Sequence, residues 1–139
     1  MTIQEIQEEI VEEFALFDEW MDKYEHLIEI GKELPIISEA YKTEDNLIKG
    51  CQSRVWLHAE LKDNVIEFTA DSDAIITKGI VALMIRVFTN QTPKAIAGAS
   101  LGFIDEIGLK DHLSPTRSNG LLSMVKQIKM YAIAYQAKI

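Results

Sequence analysis

The sequence predicts an α+β fold of two layers, a small antiparallel sheet packed by helices. Three observations carry this. Apolar residues near both ends recur at helical spacing, and those of residues 54–70 alternate with a period of two. A third stretch, 74–88, is apolar nearly all round, as expected of a central buried helix.

Thr2 with Glu5 three residues later is a capping-box pattern, and Ile3, Ile6, Ile10, Phe14 and Phe17 continue it as a helical stripe. A second helix is expected from Asp18, with Trp20, Tyr24, Leu27 and Ile28 on one face. It stops before Pro35, because the residue preceding proline is pushed out of the helical region. Residues 36–50 read as a long polar connection. Val55, Leu57, Ala59 and Leu61 then alternate with Arg54, Trp56, His58 and Glu60, giving a half-buried strand over 54–61. Lys62-Asp63-Asn64 is a hairpin connection, and Ile66, Phe68 and Ala70 alternate inward along the returning strand, 65–70. Asp71-Ser72-Asp73 offers caps to a helix from Ala74 to about Phe88. Thr92-Pro93 opens a short helix, and another ends near Gly108 on a left-handed residue. Ser114-Pro115 opens a last long helix with Leu121, Val125, Ile128, Ala132 and Tyr135 as its stripe.

With 47% hydrophobic and 26% charged residues, the chain has the balance of a globular domain, and we read 1–139 as one domain. No run approaches 18 apolar residues, so no membrane span is expected. The acidic, helical beginning lacks the pattern of a secretory signal. A single cysteine excludes an internal disulfide and suits a reducing, cytoplasmic setting. The net charge of −8 argues against nucleic acid, which needs a clustered basic footprint. The charge is uneven: residues 1–50 hold 14 acidic residues against 4 lysines. Such a face is either simply solvated or steers a basic partner.

Cys51 is the residue of chemical interest. A lone cysteine is commonly a small buried hydrophobe. Here, however, Gly50 precedes it and Gln52, Ser53 and Arg54 follow, so it sits at a polar loop tip beside a strand. Leu47, Ile48 and Val55 flank that loop with apolar residues, from which we expect a shielded thiol that a partner exposes. One thiol cannot hold an iron–sulfur cluster, and His26, His58 and His112 show no zinc-ligand spacing. His58 reads as a polar surface residue. A cysteine hydrolase stays formally open, though nothing marks its base. The glycines form no phosphate-binding loop. Asp71 and Asp73 have the sign a helix start favours, so capping accounts for them. Arg117 lies in the first turn of the last helix, against the dipole, and is free for another task. Pairing with Asp71 or Asp73 and gripping a partner's carboxylate weigh equally.

The stretches GCQSRVWL (50–57), ADSDAIITKGIVALM (70–84) and GLKDHLSPTRSNGLLSMVKQIK (108–129) closely resemble the SufE family. LIEIGKELP (27–35) and DNLIKGC (45–51) fit as well, so the likeness runs from about Tyr24 to Lys129. Thr77 stands where members usually carry valine, and residues 89–103 follow no fixed pattern. The resemblance implies the SufE/IscU-type fold and a sulfur-acceptor role. Cys51 would take persulfide sulfur from a pyridoxal-phosphate-dependent cysteine desulfurase (SufS-like), stimulate it, and hand the sulfur to an iron–sulfur assembly scaffold of the SufBCD type. No cofactor would be bound by this chain, which would be a carrier and not itself an enzyme. A CsdE-like paralogue serving another desulfurase shares the same motifs. A desulfurase-binding module that needs no thiol is the remaining alternative. Self-association stays open. Gly50, Gln52, Asp71, Asp73 and Arg117 are the residues expected to support the loop or touch the partner.

Overall fold

The structure is a computed structural model that describes residues 1–48, 53–108 and 115–137; the side chains of 115–119 are outside the description. Among the described residues, six α-helices and one hairpin follow in the order α1 (Ile3–Ala15), α2 (Trp20–Lys32), β1 (Val55–Lys62), β2 (Val65–Ser72), α3 (Ile75–Phe88), α4 (Pro93–Ala97), α5 (Gly102–Glu106) and α6 (Pro115–Gln136). This is the expected α+β class.

The capping box forms as read: Glu5 N–H donates to Thr2 Oγ1 at 3.1 Å, and Thr2 N–H donates to Glu5 Oε1 at 2.9 Å. The stripe it starts holds one polar member that the apolar spacing hides. Gln7 is buried between Ile3 and Ile10, donating to the Ser100 carbonyl at 2.8 Å and accepting from Phe103 N–H at 3.4 Å. These bonds offset the desolvation of its amide and fasten α1 to the segment entering α5. Two boundaries shift. Phe17 lies beyond the end of α1 and rests against the His26 ring, 5.1 Å between centroids. Helix α2 starts at Trp20 behind an N-cap Glu19 that makes no side-chain bond, so Asp18 is not its cap.

The hairpin is antiparallel, with Val55 facing Ser72, Leu57 facing Ala70 and Lys62 facing Val65. Asp63 and Asn64 turn it in two residues, both at positive φ (49° and 68°). Two left-handed residues suit the twist of a tight hairpin, and Asp and Asn tolerate them. The long connections that read as loops also finish the sheet. Along the outer edge of β2, the N–H groups of Ile66, Phe68 and Ala70 donate to Gln91 O, Thr89 Oγ1 and Pro35 O at 2.9, 3.0 and 3.2 Å. That edge is therefore closed to other strands.

The buried face of the hairpin lies on α3, whose opposite side carries α2. Nine of the fourteen residues of α3 are buried, as its apolar circumference predicts. At the α2–α3 crossing, a Cβ on Gly79 would stand 2.3 Å from the Leu27 carbonyl oxygen, and one on Gly31 would stand 3.0 Å from Gly79 N. Only glycine lets the two backbones come this close. Thr92 caps α4 through Ala95 N–H at 3.2 Å, with Pro93 at its first position. Gly108 follows α5 at φ 75°, the left-handed residue expected there. The pair Ser114-Pro115 falls partly outside the described residues. Leu121, Ile128 and Ala132 of α6 are buried and Val125 and Tyr135 half-buried, as their stripe implies.

Candidate functional site

Cys51, Gly50 and Gln52 lie outside the described residues, as does any shielding of the thiol. The chain on either side of them is anchored by backbone hydrogen bonds. On the entering side, buried Ile48 donates its N–H to the Val55 carbonyl at 2.8 Å, and Leu47 bridges Trp56. On the leaving side, Arg54 N–H donates to Asp73 Oδ1 at 3.0 Å, and Asp73 N–H donates to the Arg54 carbonyl at 3.3 Å. Position 51 stands three residues from each anchor. Covalent reach alone holds its Cα within about 11 Å of both.

Asp73 thus does something other than cap a helix. The N-cap of α3 is Ala74, whose methyl side chain caps nothing, and its N–H donates to Ser72 Oγ at 3.3 Å. A cap of α3 would have to aim at that helix's own N–H groups, whereas the Asp73 carboxylate is aimed back across the sheet at Arg54. Asp71 departs from the capping expectation too. It is 9% exposed, opposite Trp56 in the register, and accepts Ser72 N–H at 2.8 Å. Lys42 Nζ lies 2.7 Å from its Oδ2 and Lys78 Nζ 3.4 Å from its Oδ1. Burial pushes the Asp71 carboxyl up, but the Lys42 bond, the Ser72 N–H and Lys78 outweigh it and hold it below the usual range. Lys42 is correspondingly raised, chiefly by Asp71 and then by Glu39.

One carboxylate therefore ties three segments: the connection before the thiol loop, the end of β2, and the first turns of α3. Lys42 also lies over the Trp56 ring, 5.4 Å from its centroid. Sequence reading missed Lys42 and Lys78. Lys78 stands seven residues after Asp71, across a strand-to-helix corner where no periodicity relates them. Lys42 sits in a connection with no pattern at all.

His58 is more enclosed than a surface residue. Its ring stacks on Tyr41 at 3.7 Å and 9°, its Nε2 is 3.1 Å from Glu60 Oε1, and its side chain is 20% exposed. That stack pins the 36–48 connection to the outer face of the sheet. His26 lies 3.3 Å from Glu13 on the other side of the molecule, and His112 is outside the described residues. Among the described residues no three His, Cys, Asp or Glu side chains gather as a metal site. The backbone of Arg117 falls in the first turn of α6; its side chain is outside the description, so neither pairing considered for it is decided. No described helix is long and apolar enough to cross a membrane.

This is an α+β protein in which the residues on both sides of 49–52 are hydrogen-bonded to a hairpin laid on a central helix. The same fold occurs in a solution structure of a hypothetical protein from Thermus thermophilus, with a TM-score of 0.79, 17% identity, and 95% of this chain and 96% of that one covered. A family model described as SufE, Fe-S metabolism associated domain, matches residues 8–132. Among curated proteins, a SufE-like protein of Rhizobium meliloti is 40% identical over 130 residues, covering 90% of this chain and 93% of that one. A SufE-like protein of Synechocystis is 37% identical over 127 residues, covering 91% and 80%. The chain belongs to the SufE family.

Proposed function

We propose that Cys51 is a persulfide acceptor. The protein takes sulfur from a pyridoxal-phosphate-dependent cysteine desulfurase, stimulates that enzyme, and delivers the sulfur to an iron–sulfur assembly scaffold. The observation that carries this reading is the position of the only cysteine. It lies inside the span matched by the family model, three residues from each of two flanking anchors, Ile48–Val55 and Arg54–Asp73. Fixed ends over a short covalent reach limit where an incoming persulfide has to be presented, which favours attack over random collision.

The chemistry is thiol exchange. The Cys51 thiolate attacks the outer sulfur of the donor persulfide, a new S–S bond forms, and the donor's inner sulfur leaves as a thiolate with the bonding pair. Atoms and electrons balance without an oxidant, metal or resident cofactor on this chain. A reducing cytoplasm suits a carrier whose sulfur would otherwise climb the oxidation ladder. In this reading Gly50 and Gln52 meet the partner and Arg117 grips one of its carboxylates, while Asp71 and Asp73 hold the loop's base.

Incubation with desulfurase and radiolabelled cysteine, followed by a non-reducing gel, tests the assignment. Label is expected on the wild type and absent from Cys51→Ser, with the stability of the variant within about 0.5 kcal/mol, as for substitutions away from the core. Label retained on Cys51→Ser would sink the proposal. Full stimulation of the desulfurase by that variant would favour a binding module that needs no thiol.

A further inference from the structure

The last turns of α1, α2 and α3 converge on a groove of about 380 Å³. Its floor is apolar, made by Ile30, Leu34, Pro35, Ala82 and Ile85. Carboxylates dominate its rim, and they stand where helix physics disfavours them. A helix C-terminus carries about half a negative charge, so acids belong at the other end. Here Glu13 is in the last turn of α1, Glu29 in that of α2, and Glu33 is the C-cap of α2.

The cations present do not cancel this. Arg86 is shared by Glu13 and Glu9, and His26 in the lining lies 3.3 Å from Glu13, so neither answers Glu29 or Glu33. Lys32 reaches Glu29 at 2.9 Å, but both side chains are 67% exposed and their attraction is largely screened. Glu33 has no ion pair among the described residues. Three negative helix ends, surplus carboxylates and an apolar floor together complement one kind of ligand, an aliphatic stem bearing a cation.

We propose that this groove docks a basic segment of a partner protein, in which Lys or Arg side chains flanked by Leu, Ile or Val lie across the floor. Their cations would be held by Glu29 and Glu33. A protein segment suits the site better than a free polyamine, because the branched apolar floor is matched by side chains and wasted on a linear amine. Along α3 the groove's Arg86 stands eleven residues from Ile75, which lies beside the Asp73 anchor, roughly 16 Å at 1.5 Å per residue. A segment held here shares no residue with the Arg54–Asp73 anchor, which would let one carrier hold one partner while exchanging sulfur with another.

The test uses the ¹⁵N-labelled full chain and the probe acetyl-LRLLRL-amide at low salt, with acetyl-LQLLQL-amide and spermidine as separate arms. The arginine peptide is expected to move the amide signals of Ile30, Leu34, Ile85 and Thr89. Removing both rim charges, in Glu29→Gln/Glu33→Gln, is expected to weaken it at least fivefold. Glu12→Gln/Glu19→Gln removes equal charge from exposed positions outside the groove and is expected to change affinity less than twofold. Equal weakening by both double variants would reduce the effect to net charge and overturn the proposal. So would signals moving elsewhere, no movement at millimolar peptide, or equal binding of the glutamine peptide. Spermidine matching the arginine peptide would make this a polyamine site instead. No desulfurase and no reaction of Cys51 enters the measurement, so it stands or falls apart from the sulfur-transfer reading.

Discussion

Asp73 illustrates how a single side chain misleads when read from sequence. An acid just before an apolar helix has the right sign for a cap, and that reading rests on charge alone. Direction decides instead: Asp73 Oδ1 accepts from Arg54 N–H nineteen positions back, closing the base of the loop that carries Cys51. Asp73→Ala is expected to lose about 1 kcal/mol, the usual net worth of a hydrogen bond, and to quicken iodoacetamide labelling of Cys51 at least twofold. Asp73→Asn keeps an oxygen acceptor and is expected to stay near wild type in both respects. Urea unfolding and labelling rates on the three proteins separate the bond from the charge, and equal losses in the two variants would show that charge is what matters. The same limit hid the Lys42–Asp71–Lys78 cluster, since nothing local in the sequence says which way a lysine reaches. Cys51, by contrast, was legible as the candidate from its polar neighbours and its uniqueness.

At the scale of elements, the sequence was most readable where one face of an element is buried. The alternation of β1 and β2 survives as buried Leu57, Ala59, Ile66, Phe68 and Ala70, because α3 covers that face only. Connections were least readable: Pro35, Thr89 and Gln91 close the β2 edge through backbone and hydroxyl groups that no apolar pattern encodes. The glycines of α2 and α3 are illegible for a related reason, since a helical glycine reveals a close crossing only when its neighbour is known. Gly79→Ala places a methyl 2.3 Å from a backbone oxygen that cannot rotate away, so overpacking of about 2–3 kcal/mol is expected to exceed the helix-propensity gain of about 1 kcal/mol. Gly31→Ala meets its nearest atom at 3.0 Å and is expected to cost distinctly less. Thermal unfolding of the two variants gives the order directly. If Gly31→Ala proved the worse of the two, the crossing would be differently placed.

Over the whole molecule, the acidic excess of residues 1–50 is held to the body of the protein at particular points, and those points set how the fold meets acid. Arg86 of α3 reaches across to Glu13 and Glu9 of α1, and His26 of α2 joins Glu13 from the other side. The hydrogen bond from Arg86 is the chief reason the Glu13 carboxyl lies below its ordinary range, against the opposing effect of burial. Asp71 is lowered as well, by the lysines and the Ser72 N–H that outweigh its burial. An unfolded chain titrates these groups at ordinary values, so around pH 4 the unfolded state binds more protons than the native one. Their contribution is therefore fully present at neutral pH and drains away as pH falls through the carboxylate range and below. Arg86→Met keeps the aliphatic stem of the side chain but removes the cation, and the Glu13 share of this dependence should go with it. For a network this exposed, about 1 kcal/mol is the appropriate scale at pH 7, smaller in high salt. Urea unfolding of wild type and Arg86→Met at pH 7, 5, 4 and 3 is expected to show a gap that narrows steadily with acid and nearly closes at pH 3. A gap that stayed constant with pH would mean that Arg86 stabilises α1 through the packing of its stem, and that its charge contributes nothing.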